Sequence, residues 1–317
     1  MTDTGKNRLS FLGNGNDLFR IYIVNMLLSI LSLGLYYPWS KAAFLKYVYQ
    51  ETEFATSRFI FHGTGKEMFR GFIKAMGIIL FLIVIFIAGS FSKNTFLKAG
   101  SAFIFYLGFT LITPLAIHGR MRYRLSRTSW RGIHFGYRGD LKRIYRVYLL
   151  GLFVSAITLG IYTPWFINNL RKEVISNVRF GNVQFQYKGE GREFFVLYLK
   201  GIFFSVITCG IFLVWFLKNL HNYYINNIEI IQDGVGTRIY STVQTGAYFE
   251  NFFINYILTS ATCGLGTPFA IVRNFNFIFS NIRIPNTFDP DKIIQTEQEY
   301  KDATAEDLSD MLDIGFA

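Results

Sequence analysis

Two glycine-rich turns carry the residues whose types and spacing could do chemistry. In each turn, a Gly-x-Gly sequence comes directly before a Lys or an Arg. The six residues are Gly63, Gly65, Lys66, Gly189, Gly191 and Arg192. Both turns precede a predicted helix, and the amides and dipole of a helix N-terminus favour phosphate groups. The turns are therefore candidate sites for an anion such as a lipid headgroup. The alternative is a turn in which glycine is needed for its backbone dihedrals.

No residue pattern predicts catalysis. His62, His118, His134 and His221 have no partners at metal-ligand spacing, and no nucleophile motif or phosphate loop is present. Cys209 and Cys263 stand at equivalent places, and their spacing matches neither a metal site nor a disulfide framework. We interpret them as apolar packing residues. The sequence therefore predicts no catalytic residue, no cofactor, no metal and no enzymatic activity.

The composition favours a membrane protein. Of the 317 residues, 51% are hydrophobic and 17% are charged, whereas soluble domains carry about 25% charged residues. Six windows of 17 to 24 residues contain no charged side chain, and a helix of about 20 residues crosses a bilayer. The windows are Ile21–Ser40, Ala75–Ser92, Ala99–Gly119, Val147–Leu170, Gly201–Leu217 and Asn251–Val272. The alternative, a set of buried helices in a soluble protein, would have to accommodate all six. We predict an integral membrane protein.

A short apolar stretch with a kink signal occurs five times along the chain. In four of the copies Gly or Thr stands four residues before a Pro, and Val214 takes the place of Pro in the remaining copy. Glycine suits the end of one helix and proline the first turn of the next, so each copy predicts a helix break; a single kinked helix is the alternative. The predicted break residues are Gly34, Pro38, Trp39, Pro114, Gly160, Pro164, Trp165, Gly210, Trp215, Gly264 and Pro268.

These signals predict a mainly α integral membrane fold built from tandem repeats. Each unit has an apolar helix, the Gly-x3-Pro break, an amphipathic helix and a short β-hairpin. We place a multi-pass membrane domain at 1–288, with units at about 13–60, 61–134, 135–186, 187–243 and 244–288. The second unit is longer and predicts two full-length spans, Phe72–Gly89 and Ala99–Ile117.

The C-terminal residues differ in composition from the rest of the chain. The last 29 residues, 289–317, hold nine acidic and two basic side chains. We expect a flexible acidic cytoplasmic tail that contains at most one short helix, Glu306–Ile314.

The distribution of basic residues tests the topology. If every apolar window crosses the bilayer once, the two sides hold 17 and 15 Lys and Arg, which is no bias; if each unit enters and leaves on one face, they hold 30 and 2. Basic residues concentrate on the cytoplasmic side, so we favour re-entrant units. The basic face would attract anionic lipid headgroups. Nucleic acid is disfavoured because the basic residues flank apolar helices.

The break motif resembles that of the YjgN-like bacterial inner-membrane proteins, a family of unknown function. The resemblance covers about residues 10–285 and rests on Phe19–Tyr22, Leu33–Lys41, Phe59–Gly63 and Thr158–Trp165. The chain departs from the pattern at Val214, which replaces Pro, and at Leu115 and Phe269, where Trp is missing. The resemblance implies a multi-pass location in the bacterial inner (plasma) membrane, and it implies no activity, cofactor or catalytic residue.

Together these observations favour a non-enzymatic membrane scaffold that binds lipid or other membrane proteins. The alternative is a transporter or channel component with a substrate path at the helix breaks. Transporters commonly place ionisable groups inside the membrane, and no acidic residue lies within the six apolar windows, which disfavours transport. An enzyme acting on lipids is a third alternative.

Overall fold

The computed structural model describes residues 7–297. In that part of the chain the mainly α prediction is confirmed, with ten α-helices and eleven short strands. The helices are α1 (Gly15–Leu31), α2 (Tyr37–Gln50), α3 (Gly65–Ser90), α4 (Thr95–Ser126), α5 (Leu141–Ile157), α6 (Thr163–Ile175), α7 (Gly191–Ile207), α8 (Leu213–Asn226), α9 (Thr245–Ala261) and α10 (Thr267–Ser280). The strands are β1 (Leu9–Phe11), β2 (Thr52–Phe54), β3 (Ser57–Phe61), β4 (Thr128–Trp130), β5 (Ile133–Tyr137), β6 (Val178–Phe180), β7 (Val183–Tyr187), β8 (Ile228–Gln232), β9 (Val235–Arg238), β10 (Tyr240–Ser241) and β11 (Ile282–Arg283).

The helices come in five pairs, and each pair leaves the strands and returns to them. The strand before the first helix of a pair hydrogen-bonds with the strand after its second helix. The pairings are β1 with β2, β3 with β4, β5 with β6, β7 with β8, and β10 with β11. The start of the first helix and the end of the second therefore lie at the same end of each pair.

The strands join into a larger sheet than the sequence predicts. Separate short hairpins were expected, but β1 to β9 form one nine-stranded antiparallel sheet in sequence order. The hairpins β2–β3, β4–β5 and β6–β7 connect one helix pair to the next, and backbone pairing within each helix pair links them. Unpaired backbone groups at a hairpin edge favour such pairing.

The main apolar core lies on this sheet. It contains Phe54, Trp130, Phe180 and Ile230 from four different strands, together with Phe288 from the segment after β11. The indole Nε1 of Trp130 donates to the carbonyl of Ser57 at 3.0 Å, so the polar atom of this fully buried ring is satisfied.

The helices form a closed ring. Each helix packs against the next along the chain, and α10 packs against α1. The ends of the described chain meet in the same region, because the side-chain amide of Asn7 donates to the carbonyls of Pro285 and Phe288. No helix pair is therefore left at an open end.

Four of the pairs turn by one backbone device. Two successive residues in the turn have positive φ, and the second is glycine, with φ of +89° at Gly34, Gly160 and Gly210 and +90° at Gly264. The hydroxyl of a Ser or Thr two residues earlier accepts a hydrogen bond from the backbone N–H that precedes the second helix. These hydroxyl residues are Ser32, Thr158, Thr208 and Thr262. Glycine therefore supplies the left-handed conformation that the tight turn needs. The Ser or Thr hydroxyl satisfies the backbone N–H that the turn leaves without a helical partner.

The two cysteines lie in these turns and not in a packed interior. Cys209 and Cys263 are exposed, at the position that Leu33 and Leu159 fill in the other turns, where both leucines are 93% exposed. The interpretation of the cysteines as packing residues is therefore wrong. The first positive-φ residue of the turn directs its side chain outward.

The second pair has no break at Pro114. Helix α4 runs from Thr95 to Ser126 with Pro114 inside it, so the predicted break at this proline is wrong. Thr110 occupies the place of the turn glycine, and its hydroxyl bonds to the carbonyl of Tyr106 within the helix. Proline removes one helical hydrogen bond but does not supply the left-handed residues that a reversal needs. In the described residues, α3 and α4 are the two helices long and apolar enough to cross a membrane.

The segment that follows β11 packs on the sheet. Phe288 and Ile293 are buried in the sheet core, Arg131 pairs with Asp291 at 2.8 Å, and Arg138 pairs with Glu297 at 2.6 Å. The predicted boundary at 288 therefore falls inside a packed segment. Residues 298–317, which include the predicted short helix 306–314, lie outside the described residues.

Candidate functional site

The glycines of the predicted anion turns are packed under aromatic rings. A Cβ atom on Gly63 would lie 2.5 Å from Cζ of Phe61, and one on Gly189 would lie 2.6 Å from Cε1 of Tyr187. None of Gly63, Gly65, Gly189 and Gly191 is among the described residues with positive φ. Glycine is required here because a side chain would collide with a ring, and the dihedral explanation is wrong for these four glycines.

The start of α3 already has its own negative group. Thr64 and Glu67 form a capping box, in which the Thr64 hydroxyl accepts from the Glu67 amide and the Glu67 carboxylate accepts from the Thr64 amide, both at 3.3 Å. Arg127 Nε lies 3.4 Å from the same carboxylate. Lys66 and Arg192 are exposed. Lys66 lies on α3 and Arg192 on α7, so the two basic residues belong to different helix pairs.

The second glycine of each turn contacts an aromatic ring of the preceding helix pair, and we call this contact a joint between the pairs. A Cβ on Gly65 would lie 2.5 Å from Cδ1 of Trp39, and Gly191 meets Trp165 in the same way. Gly15 meets Phe269, so the joint also connects the last pair to the first. Trp39 is the third residue of α2, and Gly65 is the first residue of α3. In these three cases the start of the second helix of one pair therefore packs against the start of the first helix of the next pair.

Strand tyrosines cover two of these turns. Tyr137 packs over Gly139, and Tyr187 packs over Gly189. Burial raises the pKa of both phenols, which keeps them neutral at physiological pH and suits them to a structural role.

The histidines form no metal centre. His62 Nε2 lies 2.8 Å from the Ser129 hydroxyl, and its ring centroid is 5.8 Å from that of His134. Within residues 7–297 no group of three or more His, Cys, Asp or Glu side chains is placed to hold a metal ion.

Two helix pairs, α5/α6 and α7/α8, are closed by a ring that fits against a glycine. The eleventh residue of the first helix is Gly151 in one pair and Gly201 in the other. Phe166 and Phe216, each two residues after the proline position, fill the space beside them. In both pairs the Phe ring also meets a tyrosine edge-on, with centroids 5.6 Å and 6.2 Å apart.

The long pair α3/α4 is closed differently. Its eleventh first-helix residue is Ala75, which is fully buried and packs with Leu115 and Ala116 of α4. Small residues on both sides allow the helices to approach closely.

The other two pairs, α1/α2 and α9/α10, are open at the same place. The eleventh first-helix residue is Asn25 or Asn255, and the residue two after the proline is Ser40 or Ala270 instead of Phe. A cleft of about 190 Å³ lies between α1 and α2, and one of about 510 Å³ lies between α9 and α10. Ile271 lines both, so the two clefts are neighbours across the closure of the ring. We call them the asparagine clefts.

The larger asparagine cleft is rich in neutral hydrogen-bonding groups. Its polar lining residues are Tyr248, Asn251, Asn255, Tyr256, Thr259, Thr267 and Asn274. The Asn251 amide donates to Oδ1 of Asn274 at 3.1 Å. Oδ1 of Asn255 is buried and accepts no hydrogen bond within the described structure.

The smaller cleft has one charged lining residue, Lys41. The side-chain amide of its Asn25 donates to the Ile21 carbonyl at 2.6 Å. The described residues that line the two clefts offer amide and hydroxyl groups beside apolar walls, an arrangement that suits binding. Sequence reasoning missed the clefts, although comparison of the eleventh residues across the helix pairs could have found them.

Comparisons with known proteins agree with the predicted resemblance. The chain is 28% identical over 141 residues to the inner membrane protein YjgN of Salmonella typhimurium (strain LT2), covering 44% of this chain and 34% of that protein. It is 26% identical over 158 residues to the protein of the same name from Escherichia coli (strain K12), covering 50% and 38%. The matches thus span little more than a third of these relatives. No solved structure matches the chain. A family model described as "Bacterial protein of unknown function (DUF898)" matches residues 6–219 and 202–311, and the chain belongs to that family.

Proposed function

We propose that this protein is a non-enzymatic scaffold of the bacterial inner membrane that binds lipid. In this proposal five repeated helix pairs insert from the cytoplasmic side and return there. The two relatives named above are inner membrane proteins, and two helices of the described chain are long and apolar enough to cross a bilayer.

The observation that carries the proposal is the apolar surface of the first helices. Leu150, Phe153 and Ile157 are exposed along α5, and Val196, Phe203 and Ile207 are exposed along α7. The turns that follow expose apolar side chains as well, such as Leu159 at 93%. Apolar surface in water costs about 25 cal/mol per Å², and a continuous exposed patch indicates contact with a membrane or a partner.

The connections of the helix pairs support re-entrant insertion. A helix of 17 residues such as α5 is about 25 Å long, less than the ~30 Å of hydrocarbon in a bilayer. Both ends of the pair return to the sheet. The 26 residues of α3 span about 39 Å, which is enough to cross.

The basic residues fit the same arrangement. Lys93 lies between α3 and α4 and Lys98 in the first turn of α4, which would be the extracytoplasmic end, and in this proposal the basic residues near the sheet, such as Lys66 and Arg192, lie on the opposite side. This distribution satisfies the positive-inside rule.

Accessibility labelling of single cysteines tests the proposal. The background lacks Cys209 and Cys263, and the test positions are the exposed residues Lys66, Arg192 and Asp233. Lys66 and Arg192 lie at the starts of the helices that follow β3 and β7, and Asp233 lies between β8 and β9. All three are therefore close to the sheet, and we expect them to be labelled from the cytoplasm only.

Phe91, which is 85% exposed at the α3/α4 turn, is the control position for the opposite side of the membrane. Phe91→Cys should react with impermeant reagent from the periplasm. Labelling of Lys66→Cys and Arg192→Cys from opposite sides would refute the re-entrant arrangement. Substrate-dependent uptake by vesicles containing the protein would instead favour a transporter.

A further inference from the structure

We propose that the asparagine clefts are the lipid site, and that they bind the headgroup of a phospholipid through the amides of Asn25, Asn251, Asn255 and Asn274. This inference rests on the membrane location proposed above. It adds the place of binding and the chemistry of the ligand.

The first argument is that two facing positions, the eleventh residue of the first helix and the residue two after the proline position, are replaced in the same helix pairs. In α5/α6 and α7/α8 the glycine and the phenylalanine fill one another's space. In α1/α2 and α9/α10 both are replaced, the glycine by Asn and the ring by Ser40 or Ala270. Loss of the ring alone would leave an apolar void, which destabilises a helix interface. Here the space is lined by groups that form hydrogen bonds.

The second argument is the unsatisfied amide. Oδ1 of Asn255 is buried without a hydrogen-bond partner in the described structure, and an unpaired buried polar group is unfavourable. The cleft beside it is open and has a volume of about 510 Å³. Asn255 lines this cleft, so a rotation of its amide toward the cleft would let a ligand that donates a hydrogen bond satisfy Oδ1.

The third argument concerns the chemistry of the ligand. Amides offer both donors and acceptors, so they suit hydroxyl or amine groups, and Lys41 in the adjoining cleft suits a phosphate. None of the described residues that line the two clefts is acidic. Ile21, Ile271 and Phe252 provide apolar walls for the start of an acyl chain. One phosphate, hydrogen-bonding groups and an apolar chain together describe a phospholipid.

The test is to close each cleft with the residues that close the neighbouring pairs. The double variants Asn255→Gly/Ala270→Phe and Asn25→Gly/Ser40→Phe reproduce the arrangement of Gly201 and Phe216. Wild-type protein and variants are reconstituted in vesicles of phosphatidylethanolamine and phosphatidylglycerol and extracted in detergent. Retained lipid is then measured by native mass spectrometry.

We expect both closures to reduce lipid retention by about tenfold or more, which corresponds to the loss of one or two hydrogen bonds. Asn255→Leu, which keeps the volume and removes the amide, should also reduce it. Asn276→Gln, at an exposed position of α10, is the control and should leave retention unchanged.

Equal retention by the wild type and by both closed variants, each showing a cooperative unfolding transition, would overturn the proposal. So would equally tight binding of water-soluble glycerophosphoethanolamine, because the ligand would then not be a lipid. The reverse variant Gly201→Asn/Phe216→Ala opens the α7/α8 interface and should retain more lipid than the wild type. Cysteine labelling checks the membrane arrangement separately, so a failure of the lipid site can be distinguished from a failure of the proposed membrane location.

Discussion

The pairs α7/α8 and α9/α10 are neighbours that use the same turn and differ in how their helices meet. Both reverse through a Thr, a Cys and a Gly, with φ of +89° at Gly210 and +90° at Gly264. One interface is filled by Phe216 against Gly201, and the other is left open around Asn255.

The difference shows that the course of the backbone and the filling of the interface are set by separate residues. The turn and the joint to the next pair fix where the helices run. Two interior positions then decide whether the space between them is solid or available to a ligand. The predictions below test this separation.

The largest effect should come from emptying a closed pair. Phe216→Ala removes the ring that packs against Gly201 and Tyr198, and we expect a loss of about 3 kcal/mol in unfolding free energy. Denaturant unfolding in detergent measures it. A loss below about 1 kcal/mol would mean that the ring does not hold the pair together.

The turn glycine should matter equally in closed and open pairs. Gly210→Ala and Gly264→Ala each force a Cβ onto a residue with φ near +90°, and we expect about 1–3 kcal/mol of destabilisation for both. Unfolding midpoints compare the two. A strong effect in one pair alone would show that turn and interface are coupled.

A smaller, matched effect is expected from the turn hydroxyl. Thr208→Val and Thr262→Val remove the acceptors of the Phe212 and Gly266 amides, at a cost of about 1 kcal/mol each. Serine at the same positions is the control and should retain stability. Failure of serine to do so would assign the effect to the methyl group.

The smallest effect should come from a change on the sheet. Glu297→Gln weakens the 2.6 Å contact with Arg138, whose side chain is 57% exposed, so we expect at most about 1 kcal/mol. Thermal unfolding at low and high salt measures it. Loss of lipid retention in this variant would contradict the independence of clefts and sheet.

The helix-pair geometry was largely readable from local signals. Gly34, Gly160, Gly210 and Gly264 were predicted at helix breaks, because a left-handed residue is favourable for glycine and costly for others. The Ser or Thr two residues before each of these glycines is a further local signal for the same turn. Pro114 lacks the preceding glycine, because Thr110 stands in its place, so a proline alone does not mark a reversal.

The sheet could not be predicted to the same extent. The hairpins β6–β7 and β8–β9 are local and agree with the strand patterns around Gly181-Asn182 and Asp233-Gly234, whereas the pairing of β1 with β2 joins Leu9 to Phe54 across two intervening helices. Such pairing depends on how a helix pair packs, which no short pattern contains. The packing of Phe288 and Ile293 was hidden by the acidic composition around them.

The contact between Phe269 and Gly15 joins the last helix pair to the first, so the ring of helices has no fixed starting point along the sequence. Stacked repeat arrays need special end modules to cover their first and last faces, but a circle has no such faces. Joining the region of Asn7 to that of Pro285 and cutting the chain between β4 and β5 would keep every helix contact. A circular permutant of this kind should assemble the same circle from a different starting point.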